Sequence, residues 1–76
     1  MYVYIASHFD VMTQQTKRLG VWGGALSACF NANILLGTDA SLSKEQAGLV
    51  REKGITTIHS KDKLSYVMIE QVKVQQ

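Results

Sequence analysis

Apolar and polar positions divide the chain into short segments of differing period. Tyr2, Val3, Tyr4 and Ile5 form an unbroken run of strand-forming side chains. That run predicts a first strand, closed by Ser7 and His8. Val11, Met12, Leu19 and Trp22 then recur at a loosely helical spacing, with Gln14, Gln15, Lys17 and Arg18 polar between them. The spacing predicts a helix. Asp10 or Thr13 would cap it by accepting a hydrogen bond from a free backbone N–H, and Gly23-Gly24 would stop it, because glycine takes a left-handed turn at little cost. Over residues 25–30 the period changes to two, with Leu26, Ala28 and Phe30 set against Ala25, Ser27 and Cys29. This predicts a second strand. Asn31 and Asn33 bracket a turn. Residues 34–36 are apolar on both faces, as a central strand covered by helices would be.

Residues 38–42 read as a polar loop. Ser41 or Ser43 caps the next helix, which turns Ala47, Leu49 and Val50 inward and ends at Gly54. Residues 55–58 predict the fourth strand. Ser60 or Asp62 then caps a last helix with Leu64, Val67, Met68 and Val72 on its apolar face, although residues 66–74 also carry strand-forming side chains. The tail from about residue 70 reads as frayed. The order is β-α-β-β-α-β-α. The expected fold is therefore α/β, a four-stranded and mostly parallel sheet with helices on both faces.

Composition narrows the class. Seventy-six residues make one domain, 1–76; a chain of this size buries roughly 60% of its unfolded surface, so every apolar position counts. An apolar share of 46% against 18% charged excludes a disordered tail. The net charge of +2 permits contact with phosphate but does not demand it, because a general nucleic-acid binder carries a denser basic stripe. The single cysteine, Cys29, excludes an internal disulfide framework and suits a reducing cytosol. One cysteine and two distant histidines do not make a zinc site. The first residues are too short for a signal peptide or a membrane span. The expected setting is cytoplasmic, with no membrane and no cofactor.

Four features occur in a fixed order: Gly23-Gly24, then Asn33-Ile34-Leu35-Leu36-Gly37, then Ser43-Lys44-Glu45-Gln46-Ala47, then Gly54-Ile55. Together they resemble the BRCT domain, and length and spacing are most similar to the compact form at the C-terminus of NAD-dependent bacterial DNA ligases. The likeness spans residues 2 to about 69. It departs from the family at His8, where a glycine usually follows the strand-closing Ser or Thr. It also lacks the common Trp of the third helix, near Leu64 and Tyr66, and the stretch from Lys44 to Gly54 is slightly long.

The resemblance implies a four-stranded parallel sheet and a non-enzymatic binding module of DNA replication, repair or ligation. In phosphate-binding members a strand-end hydroxyl, the next backbone N–H and a lysine at the start of the second helix hold one phosphate. Carried over, these are Ser7, the N–H of His8, and Lys44. A helix N-terminus presents free N–H groups and partial positive charge, and lysine adds a point charge. DNA-end-binding relatives use basic residues on the first helix, which places Lys17 and Arg18 at a DNA surface. The implied partner is DNA, including 5′-phosphorylated ends, or a replication or repair protein. Gly23, Gly24 and Gly54 would be structural in any case.

Each of these residues has a plainer reading. Ser7 can cap, Lys44 can be a solvated first-turn residue, and Lys17 and Arg18 can form a polar helix face. Trp22 can be packing, and Cys29 a small buried side chain. Other functions compete as well. Thr16, Leu19-Gly20-Val21 and Leu26 fall near helix-turn-helix spacing, but Gly23 and Gly24 would open the recognition helix at about 1 kcal/mol each. Tyr4-Ile5-Ala6-Ser7 is similar to the start of nucleoside deoxyribosyltransferases. Such enzymes need about twice this length, and Glu45, Glu52 and Glu70 are too scattered to form an acid–base pair. A phosphate-independent protein–protein or inhibitor module fits the same fold, and exposed edge strands leave a homodimer open.

Overall fold

The computed structural model describes residues 1–75. The chain forms β1 (Tyr2–Asp10) and β2 (Gln15–Trp22), then α1 (Ala25–Leu36), a 3₁₀ turn (Ala40–Leu42) and α2 (Ser43–Lys53), then β3 (Ile55–His59) and β4 (Ser65–Lys73). The four strands lie in the order β2-β1-β4-β3, and each neighbouring pair is antiparallel. The expected mostly parallel sheet with helices on both faces is corrected on both counts. The parallel sheet that the BRCT likeness implies is absent, and the two helices share one face.

Asp10 does accept backbone hydrogen bonds, from the N–H groups of Met12 at 2.9 Å and Thr13 at 3.3 Å. Those bonds close a hairpin, helped by the left-handed backbone of Gln14, so residues 15–22 return as a strand and not as a helix. Residues 25–36 are one helix in place of two strands. No β-branched side chain precedes Ile34 there, and alanine at three positions is the best helix former. Residues 65–73 form a strand because Tyr66, Val67, Ile69 and Val72 suit a pleated surface better than a helix. Ser60 and Asp62 shape the β3–β4 turn instead of capping a helix. Residues 70–73 are paired to β1, with Tyr2 opposite Lys73, so the strand continues where fraying was expected.

The glycines divide differently from expectation. Gly54 is left-handed at φ 81°, as anticipated, and Gly37 is left-handed at φ 68°. Gly24 is extended, at φ −131° and ψ 139°, and precedes α1 as its N-cap.

Strand alternation settles which face is covered. Tyr4 and Ala6 of β1, Ile58 of β3 and Val67 and Ile69 of β4 pack against Ala25, Ala28, Cys29 and Ala32 of α1 and Ala47 and Val50 of α2. The helix residues in this layer are small, so the helices approach the sheet closely and the core is thin; its largest fully buried side chain is Ile69. A bulge lies at the edge of this layer. Ala6 pairs with Gly20 but Ser7 pairs with Arg18, so Leu19 is the extra residue. Leu19 and Trp22 pack against the core from there.

The helices are joined by Asn33, which is fully buried. Its Nδ2 donates to the Cys29 carbonyl at 3.0 Å, Ser43 Oγ at 3.0 Å and Gln46 Oε1 at 2.7 Å, while its Oδ1 accepts from Thr38 Oγ1 at 2.7 Å. At the opposite end of the molecule the Val74 N–H donates to the Met1 carbonyl at 2.9 Å, extending the β1–β4 seam. Among the described residues no helix is long and apolar enough to cross a membrane.

Candidate functional site

The face of the sheet away from the helices is uncovered. On β1 it carries Val3, Ile5, Ser7 and Phe9, and on β4 it carries Tyr66, Met68, Glu70 and Val72, because their neighbours in sequence point into the core. The strand registers arrange the side chains in rows across the sheet. One row is Thr16, Phe9, Tyr66, His59; the next is Arg18, Ser7, Met68, Thr57; a third is Val21, Ile5, Glu70, Ile55.

The first row is aromatic across three adjacent strands. The Phe9 and Tyr66 rings sit on the two central strands with centroids 5.1 Å apart at 32°. His59, on the edge strand, lies 5.4 Å from Tyr66 at 42°. Both central rings remain half-exposed. Arg18 stands one row away, and the loop directly after His59 carries the exposed Lys61 and Lys63. The turn between these lysines is well held. Asp62 Oδ1 accepts from Ser60 Oγ at 2.6 Å and from the Leu64 N–H at 3.0 Å. These bonds, the Ser60 hydroxyl first, keep the Asp62 carboxyl below the usual carboxylate range.

The phosphate candidates do not converge. Ser7 lies in the middle of β1 on the uncovered face, opposite Arg18 and Met68. Lys44 belongs to the first turn of α2, in the helix layer on the other side of the sheet. There it borders a cleft of about 340 Å³ beside Leu26, Phe30 and Ser41. His8 and Lys17 are brought together as a cross-strand pair on the helix side. They share a cleft of about 410 Å³ with Leu19, Leu36, Ser60 and Asp62. The Asp62 carboxylate lines it together with Lys17, so this cleft is mixed in charge and no anion cradle. Of the DNA-contact pair, Arg18 faces the open sheet and Lys17 faces the helices. The helix-turn-helix spacing falls on β2 and the start of α1, where no such motif exists.

The chain matches no protein-family model, no curated protein and no solved structure. Among the described residues no three His, Cys, Asp or Glu side chains gather in one place.

None of Phe9, Tyr66 and His59 is a site candidate in the sequence, where Tyr66 stands near the family's missing Trp and His59 reads as a loop residue. The signal that could have found them is the alternation of Tyr66 and Met68 against Val67 and Ile69, which marks a strand with one buried face. Placed in a helix, as first read, Tyr66 has no relation to Phe9.

Proposed function

We propose that this chain is a non-enzymatic binding module that holds single-stranded nucleic acid on its uncovered sheet face. The observation that carries the reading is the row Phe9–Tyr66–His59 across three neighbouring strands. Half-exposed rings on an open sheet give successive bases a surface to stack on, at about 1–3 kcal/mol per base. Arg18 in the adjacent row and Lys61 and Lys63 in the adjoining loop supply cations for the sugar-phosphate backbone. Serine and threonine hydroxyls at Ser7, Thr16 and Thr57 offer hydrogen bonds between them. A duplex, whose bases are already stacked and paired, gains little from such a surface.

The other half of the same face favours a second reading. Val3, Ile5, Val21, Ile55 and Val72 are aliphatic and surround Glu70, which suits a protein partner better than a base.

Fluorescence anisotropy with a labelled single-stranded DNA or RNA of mixed sequence, and with the matching duplex, separates the two. The expected result is preference for the single strand and weakening with salt. Tyr66→Ala or Phe9→Ala should weaken binding roughly 5- to 100-fold, the range that loss of one stacked base gives. No single-strand binding at low salt, or binding indifferent to both substitutions, would overturn the reading. Binding of a protein partner lost in Ile5→Glu would then identify the aliphatic half as the working surface.

A further inference from the structure

We infer that the outer face of α1 is a self-association surface that pairs two copies of this chain about a twofold axis through Phe30. The surface is unlike that of an ordinary exposed helix. Six residues of α1 are exposed, and four of them are Leu26, Phe30, Ile34 and Leu35; Ile34 is 61% exposed and Leu35 56%. A helix that is apolar all round is normally covered on every side, yet the sheet and α2 cover only its inner side. The exposed polar side chains are Ser27 and Asn31, and Asn31 Nδ2 is turned back onto the Ser27 carbonyl at 2.8 Å.

Three properties select a second copy as the occupant. The first is symmetry. Leu26, Phe30 and Ile34 are spaced four residues apart, so the stripe is matched in volume about its midpoint. In an antiparallel pair Phe30 meets Phe30 of the second copy and Leu26 meets its Ile34, which is the self-complementarity an isologous contact needs.

The second is charge. No residue of α1 is acidic or basic, and Lys44 is the single charged side chain lining the clefts that flank the stripe. A lipid surface would call for a row of cations along the polar edge, which one lysine does not supply.

The third is area. Roughly half of each of these side chains is exposed, on the order of 100 Å² apiece for residues of this size. With Trp22, which shares a cleft with Leu35, the patch is roughly 500 Å² per copy, or about 1,000 Å² in total, the size of a weak, transient pair and below the roughly 1,200 Å² of a stable one. A cleft of about 340 Å³ between α1 and α2 and one of about 200 Å³ between α1 and β2 flank the stripe. These grooves receive the side-chain ridges of a second helix.

The pairing is independent of the nucleic-acid reading, since α1 and the uncovered sheet face lie on opposite sides of the molecule. Sedimentation equilibrium from low-micromolar to near-millimolar concentration tests it. The wild-type chain should have twice its 8.4 kDa mass, and Phe30→Glu should have the single-chain mass with an unchanged circular dichroism spectrum. The register has its own test. Leu26→Glu alone and Ile34→Lys alone should each give monomers, and the double variant Leu26→Glu/Ile34→Lys should dimerise again, each new carboxylate facing a new ammonium across the axis. A wild-type chain that stays monomeric throughout would overturn the inference. So would a dimer that survives Phe30→Glu, or one that is lost only on Ile5→Glu at the sheet face. Failure of the double variant to recover while the single variants dissociate would overturn the twofold register.

Discussion

The indole of Trp22 lies over Gly20. A Cβ added at Gly20 would stand 3.1 Å from Cη2 of Trp22 and 3.3 Å from Cζ3. The ring is rigid and rests against the core beside Leu19, so it cannot yield by changing its own shape. Gly20→Ala should therefore destabilise the domain by about 1 kcal/mol or more, the usual cost of one methyl too many in a packed site. Tryptophan emission followed through urea unfolding checks this. The native spectrum of the variant should shift, because the ring moves.

Gly24 should behave in the opposite way. Its backbone is extended, and a Cβ there meets nothing within 4 Å. The helix it precedes has no side-chain cap and no acid in its first turn. Gly24→Asp supplies both a capping oxygen and a charge that complements the helix dipole, and should stabilise the domain by about 1 kcal/mol. Equal or lower stability in a thermal melt would show that the end of α1 is already satisfied.

Asn33 invites an isosteric test. Its amide donates to three acceptors and accepts from Thr38, so one of its two N–H groups is shared. Asn33→Asp keeps the shape and the acceptor but removes the donors. At neutral pH it leaves a buried carboxylate facing Ser43, Gln46 and the Cys29 carbonyl. The loss should be roughly 3–5 kcal/mol. The introduced carboxyl has a raised folded pKa, so its protonated form is favoured in the folded state. The deficit against wild type should shrink as pH falls and grow as pH rises. Chemical denaturation at pH 4.5 and pH 7.5 would reveal the trend, and a pH-independent deficit would contradict the hydrogen-bond account.

Burial raises the Cys29 thiol above its ordinary value of 9.0, opposed in smaller part by the positive charge of Arg51. The sign follows from linkage. The neutral thiol is favoured in the folded state, so this contribution is complete below pH 9 and is lost as pH rises through the folded value. Cys29→Ala should remove this part of the alkaline decline in stability. Ellman's reagent should label the native thiol slowly and the urea-unfolded chain at once.

Much of the polar chemistry was legible and its setting was not. Asp10 and Asp62 were recognised as acceptors for backbone N–H groups, and both are. Yet a side chain that caps a helix and one that closes a hairpin satisfy the same donors. The choice depends on the partner strand, which no local pattern contains. For Asp10 the missing fact was that residues 15–22 find β1. For residues 65–73 it was that Val67 and Ile69 find Ala6 and His8 across a central seam. Gly54 and the strand after it were read correctly, because a left-handed cap followed by β-branched residues has one local solution. The 25–30 segment was misread because period two over six residues is also met by a helix apolar on all sides. That same excess of apolar positions is what leaves Leu26, Phe30 and Ile34 in solvent. The phosphate trio presupposes a strand end at Ser7; Ser7 lies mid-strand, and the sheet separates it from Lys44.

The seam between β1 and β4 joins the two ends of the chain, with Tyr2 opposite Lys73 and Val74 bonded to Met1. The centre of the sheet thus depends on the most distant pairing in the sequence, and each hairpin alone supplies only an edge and half a centre. Folding must wait for that closure, which makes it slow for a domain of this size. A circular permutant, with residues 75 and 1 joined by a short flexible linker and new ends opened near Gly37, would turn the seam into a local hairpin. The same sheet should then form faster, with little change in its equilibrium stability.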